Sequence, residues 1–133
     1  MGSLSYRTRP ALTNDDLNDL FGRAYDKTMS VDFQRILGQS LTWIGGYDGQ
    51  VLHAWINVAW DGFVHAFLVD RTAVDDPDGA IRSELVREAI EAIRRDHPTV
   101  FKIHTDCRPD ELDWLGDLGL QELPGGIVLL QRA

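Results

Sequence analysis

Six side chains of this 133-residue sequence can move protons or attack a substrate: His53, His65, Asp70, His104, Asp106 and Cys107. Histidine titrates near neutrality, so His65 can act as a general base or can be a hydrogen-bonded strand histidine. Asp70 can draw a proton from a substrate through water, or brace a loop. His104 and Asp106 are two apart and so share one face of a strand, where they suit an acid/base pair or a structural hydrogen bond. His53 either joins such a cleft or faces solvent. Cys107 has no nucleophile motif around it and reads as an inert thiol. As the sole cysteine it excludes an internal disulfide and fits a reducing cytoplasm. His53, His65 and His104 lack the tight spacing of metal ligands, so no metal is expected.

These residues need a scaffold, and the clearest signal for one lies mid-chain. The runs 41–47, 51–60 and 63–74 are rich in β-branched and aromatic residues, and Asp48-Gly49 and Asp61-Gly62 separate them. An Asp-Gly pair between such runs marks a type I′ hairpin, whose two central residues take positive φ. The spacing predicts a three-strand antiparallel meander. Its second strand would put Leu52, Ala54, Ile56, Val58 and Trp60 on one face, with His53, Trp55 and Asn57 on the other. Leu4 to Arg9 reads as a first strand. Thr13, with Asp16 three residues on, forms a capping box for a helix bearing Leu17, Leu20, Phe21 and Ala24 and ending near Tyr25. Val31, Phe33, Ile36 and Leu37 suggest a second helix stopped by Gly38.

Asp76 before Pro77 reads as an N-cap and first turn, opening the longest amphipathic helix through Ile81, Leu85, Ala89 and Ile93 to near Asp96. A strand over 100–105 and a short helix from Pro109 to Leu118, with Gly119 as its C-cap, come next. A closing hairpin over 120–131 completes the order β-α-α-β-β-β-α-β-α-β-β, a mixed α/β sheet. With no repeat or linker, residues 1–133 are read as one domain. The net charge of −8 repels nucleic-acid phosphates and anionic lipids, and no segment has the ~20 apolar residues of a membrane span. Met1 to Pro10 contains no signal-peptide run. The apolar run Ile127 to Leu130 at an open sheet edge predicts pairing into a homodimer.

This order, with Ile56-Asn57-Val58-Ala59-Trp60-Asp61-Gly62, Leu85-Val86-Arg87-Glu88-Ala89 and His104-Thr105-Asp106 followed by Pro109 and Leu118-Gly119-Leu120, resembles the GNAT family of acyl-CoA N-acetyltransferases. The resemblance covers 41–131 in detail. It implies the GNAT fold, a mixed and mostly antiparallel sheet flanked by helices, and acetyl transfer from acetyl-CoA to a small amine. It sets His65, Asp70 and His104 as candidates for proton transfer. It also implies that Thr72, Ala73 and Val74 hold the thioester arm, and that Gly79, Ala80, Ile81, Arg82 and Ser83 meet the pyrophosphate. Two departures from the family pattern accompany it. The phosphate-loop positions fall on Pro77, Ala80 and Arg82, ringed by Asp75, Asp76 and Asp78, whose carboxylates compete for the same helix dipole. The position of the family's acidic tyrosine falls on Leu115. Those departures keep open a non-catalytic alternative: a ligand sensor or a protein-interaction module.

Overall fold

Two turns and two bulges set the register of the central strands. In the computed structural model, which describes residues 3–123 and 126–130, the chain runs β1 (Ser5–Thr8), α1 (Asn14–Tyr25), α2 (Gln34–Gln39), β2 (Thr42–Asp48), β3 (Val51–Trp60) and β4 (His65–Ala73). It continues through α3 (Ala80–Asp96), β5 (Lys102–Thr105), a 3₁₀ turn (Pro109–Glu111), α4 (Leu112–Asp117), β6 (Gln121–Leu123) and β7 (Gly126–Leu130). The sheet order is β1-β2-β3-β4-β5-β7-β6. Every neighbouring pair is antiparallel except β4 and β5, which run parallel.

The meander forms as the sequence predicts, with its turns placed differently. Asp48 pairs with Val51, so Gly49 and Gln50 are the central residues of the first turn. Gly49 takes φ 61° and Gln50 keeps a negative φ. Positive φ at the first central position alone is the type II′ pattern rather than I′. The second connection is a longer loop, in which Asp61 Oδ1 accepts from the N–H groups of Phe63 and His65. Next to the first turn, Gly46 pairs with Ala54 but Tyr47 with Leu52, so His53 is an extra residue on β3. That bulge turns Leu52 onto the face of Trp55, away from Ala54 and Ile56 where strict alternation puts it.

Two apolar cores sandwich the sheet. One joins Ala54, Ile56, Val58, Ala66 and Leu68 to Leu85, Val86, Ala89 and Ile93 of α3 and to Leu115 of α4. The other joins Trp43, Tyr47, Leu52 and Trp55 to Leu17 and Leu20 of α1 and to Phe33 and Leu37. The Thr13–Asp16 capping box is present as predicted. Gly38 does not stop α2 but lies inside it, and the helix ends one residue later. The terminal strand β7 pairs on both sides, with β5 and β6. It is therefore not the open edge from which a homodimer is expected; β1 and β6 are the edges.

The turn assignment makes a direct prediction. A β-carbon at Gly49 meets nothing within 4 Å, so Gly49→Ala costs only the conformational penalty of positive φ, about 1 kcal/mol. In a chain this size that lowers the thermal midpoint by about 4 °C. Gln50→Ala should leave the midpoint unchanged, and equal losses would contradict the assignment.

Candidate functional site

Strand β4 is zipped to β5 over four residues and then leaves it. The parallel pairs run from His65 with Lys102 to Leu68 with Thr105. Just beyond, Asn57 pairs with Val69 and Trp55 with Thr72, so Asp70 and Arg71 together oppose Ile56 in a bulge. Asp70 takes φ 59°, a left-handed conformation that aspartate tolerates better than most residues. The bulge bends β4 where it parts from β5, opening a wedge in the sheet. Asp70 is exposed there, and partial desolvation first, then the nearby Asp106 charge, push its carboxyl above its ordinary range.

Arg71, its side chain 9% exposed, bridges this wedge. Its guanidinium donates to Thr105 Oγ1 at 2.9 Å, to the Asp106 carbonyl at 2.8 Å and to both oxygens of Glu111, at 2.9 and 3.3 Å. Glu111 Oε1 also accepts from the Arg108 N–H. Burial alone would raise the Glu111 carboxyl, but the Arg71 hydrogen bonds, the Arg108 N–H and both positive charges outweigh it and hold the group below its ordinary value. Thr105 Oγ1 further contacts the Leu68 carbonyl at 3.4 Å, lacing β4 to β5 at the wedge apex.

At the start of α3 the chain supplies its own anion. The N-cap is Gly79, with φ 76°, not Asp76 as the sequence predicts, and Pro77 lies outside the helix. Asp76 nevertheless caps it from upstream. A turn closed by the Gly79 N–H on the Asp76 carbonyl folds the carboxylate back. Asp76 Oδ1 then accepts from Ile81 N at 2.9 Å and Oδ2 from Arg82 N at 3.0 Å, while Asp78 Oδ1 accepts from Ala80 N at 3.2 Å. The Arg82 guanidinium lies against the same carboxylate, with Nε 3.4 Å from Oδ2 and Nη2 donating to the Asp76 carbonyl. A cleft of about 670 Å³ beside this turn is lined by Ala24, Ala73, Asp75, Asp76 and Pro77.

The predicted proton-transfer residues divide into two places. His65 and His104 meet edge-on with ring centroids 5.5 Å apart, and His104 stacks on Phe67. His65 Nδ1 lies 3.2 Å from Asp61 Oδ2. Burial first, then the charges of Lys102 and His65, lower His104 from its ordinary value, and its buried Nε2 has no hydrogen-bond partner among the described residues. This pair straddles the zipped strands, His65 on β4 and His104 on β5. Asp70 lies five residues beyond His65, about 16 Å along a strand, at the wedge. His53 is a tether rather than a cleft or solvent residue: its Nε2 is 2.7 Å from the Val74 carbonyl, and its own carbonyl accepts from the Val74 N–H. Both Val74 backbone groups therefore face β3. Alternation then turns the N–H and C=O of Ala73, among the three predicted arm residues, toward the wedge. Burial raises the Cys107 thiol, in keeping with an inert group.

Several residues at this site carry no local sequence signal. Arg71 and Glu111 are 40 positions apart. Trp55 Nε1 and Asn57 Oδ1 are buried without hydrogen-bond partners, on the strand facing the bulge. Tyr25 Oη lies 3.5 Å from Thr72 Oγ1. Leu115 is 1% exposed and points into the core. Its neighbour Trp114 packs partly buried against the same core, with Nε1 3.7 Å from where a Gly79 β-carbon would stand and the ring 5.9 Å from the Arg71 guanidinium. Among the described residues, no three His, Cys, Asp or Glu side chains are placed to hold a metal, and no helix is long and apolar enough to cross a membrane.

No family model and no curated protein matches the sequence. Solved structures do. A GNAT family acetyltransferase from Streptococcus pneumoniae is 17% identical with a TM-score of 0.72, covering 98% of this chain and 99% of that one. The GNAT family N-acetyltransferase YhbS from Escherichia coli, solved in complex with CoA, is 12% identical with a TM-score of 0.71, covering 96% and 81%. The acetyltransferase yncA from Salmonella typhimurium, solved with acetyl-CoA, is 11% identical with a TM-score of 0.70, covering 99% and 96%. The chain has the GNAT acetyltransferase fold.

The resemblance implies a pyrophosphate at residues 79–83, and the start of α3 does not fit one as it stands. The N–H groups of Ala80, Ile81 and Arg82, three of the five residues predicted to meet it, already end on carboxylates. The wedge, by contrast, rests on the Arg71–Glu111 pair, which yields a stability prediction. A carboxyl depressed by folding contributes stability above its unfolded value, and that stability is lost as pH falls through the lower folded value. Acid unfolding should therefore steepen below the ordinary glutamate value of 4.5. Glu111→Gln should remove that dependence and, by stranding a buried guanidinium, cost about 3–5 kcal/mol. Denaturant melts at pH 7 and below 4.5 check both effects, and an unchanged acid limb in the variant would contradict the assignment.

Proposed function

We propose that the protein is an N-acetyltransferase that moves an acetyl group from acetyl-CoA to a small amine, in the cytoplasm, with Asp70 as the base that prepares the acceptor. The observation that carries this reading is the β4 bulge, which sets a raised carboxyl at the mouth of the wedge in a GNAT fold. An amine arrives as ammonium and must lose a proton before its nitrogen lone pair is available. A carboxylate with a raised pKa is a better acceptor for that proton than an ordinary one, because proton transfer favours matched partners. His65 on β4 and His104 on β5 lie where the two strands are zipped together, which supports giving the base role to Asp70.

A second reading has one observation in its favour. The carboxylates at the start of α3 are what a GNAT fold acting as a sensor or an interaction module, without acyl transfer, would tolerate.

Turnover of acetyl-CoA with a panel of small amines separates the two readings. The acetyltransferase reading expects thiol release dependent on an amine, rising with pH through the raised Asp70 value because the base must be ionised. Asp70→Asn should lower kcat by about 10²-fold or more. Absence of turnover with every amine favours the second reading; undiminished turnover in Asp70→Asn removes Asp70 from the role.

A further inference from the structure

We propose that Asp76 is a built-in occupant of the donor's pyrophosphate seat, so that acyl-CoA binds by displacing the protein's own carboxylate. This rests on the acetyltransferase reading and concerns how the same site is controlled. A helix N-terminus attracts an anion because its first N–H groups lack partners and its dipole is positive there. In this chain neither attraction is left over. Asp76 and Asp78 take the first three helical N–H groups, and the Asp76 carboxylate, 2% exposed, sits on the positive end of the dipole. The nearest cation is drawn inward as well, since Arg82 lies on Asp76 through Nε and on its carbonyl through Nη2.

The latch nevertheless leaves an unused donor. Arg82 Nε is buried and makes no hydrogen bond of good geometry, so Asp76 holds it by charge alone at 3.4 Å. A phosphate has more acceptor oxygens than one carboxylate and can satisfy that donor together with the Ile81 and Arg82 N–H groups. The exchange also has a path. The carboxylate is carried by a turn between Asp75, with φ 54°, and Gly79, with φ 76°, beside the 670 Å³ cleft. Rotation of the turn into that cleft frees the three amides without unwinding α3. Trp114, packed against Gly79 and Arg71, links the turn to the plugged wedge.

Two explanations of weak donor binding separate here, because Asp75 and Asp76 bring the same charge to the same cleft. No described hydrogen bond ties the Asp75 carboxylate to α3, whereas Asp76 holds two of its amides. The test is calorimetric titration of the full chain with CoA at low salt, comparing wild type, Asp76→Asn, Asp76→Gly and Asp75→Asn. Asparagine and glycine are both acceptable near helix starts, and thermal unfolding checks that each variant is folded. The latch expects wild type to bind weakly. Asp76→Asn should bind at least tenfold tighter and Asp76→Gly tighter again, with Asp75→Asn within about twofold of wild type. Equal gains from Asp75→Asn and Asp76→Asn would overturn the latch in favour of simple repulsion. Low-micromolar binding by wild type, unimproved in Asp76→Asn, would overturn it and leave the acetyltransferase reading standing. Folded variants that all fail to bind CoA would overturn the latch; amine-dependent turnover by wild type then decides the acetyltransferase reading separately.

Discussion

The start of a 17-residue helix must find acceptors for its first amides, and the way α3 meets that demand governs the site. Asp76 meets it from three residues ahead of the N-cap, through a turn that needs positive φ at Asp75 and Gly79. The turn fixes the path from β4 to α3 and thereby the shape of the cleft beside Ala73. It also draws Arg82 inward and leaves the helix dipole neutralised by the chain itself. In a fold whose solved neighbours include structures with CoA and acetyl-CoA, the first amides of this helix end on the chain's own carboxylates.

The second constraint is the wedge. Pairing of β4 with β5 ends at Leu68 and Thr105, and beyond it the chain joins the two sides with a buried, bidentate Arg71–Glu111 pair. Such a pair does more to fix geometry than to add net stability. By joining β4 to the loop ahead of α4, it holds the bulge at Asp70 and brings Trp114 toward Gly79. The wedge and the helix start are thus packed as one unit, although each is built from different chemistry.

Local pattern made most of this fold legible. The capping box at Thr13, the three-strand meander and the end of α3 at Asp96 all follow from neighbours within four residues, where periodicity and turn chemistry act, whereas α4 takes Leu118 and not Gly119 as its C-cap. What escaped acts over longer range or breaks alternation. The bulge at His53 carries no glycine to announce it, yet it moves Leu52 to the opposite core. Asp76 reads as an ordinary N-cap because capping rules reach three residues, whereas its oxygens reach the amides five and six residues on. Arg71 finds Glu111 across 40 positions, and strand β7 becomes interior only because β6 pairs outside it. The candidate site was legible in its parts, since Asp70, Arg82 and the acidic ring were all visible. Their grouping was not: His65 and His104 meet across the zipped part of β4 and β5, while Asp70 stands on β4 beyond it.

The central claim is that the first amides of α3 are held by Asp76 in the free protein. Hydrogen exchange, resolved by residue in the absence of ligand, reads those amides directly, because an unpartnered N–H at a helix start exchanges nearly as fast as an open chain. The account expects Ile81 and Arg82 to be protected at neutral pH and to lose much of that protection in Asp76→Gly while amides at the centre of α3 keep theirs. Exchange of Ile81 and Arg82 in the wild-type protein at open-chain rates would contradict it.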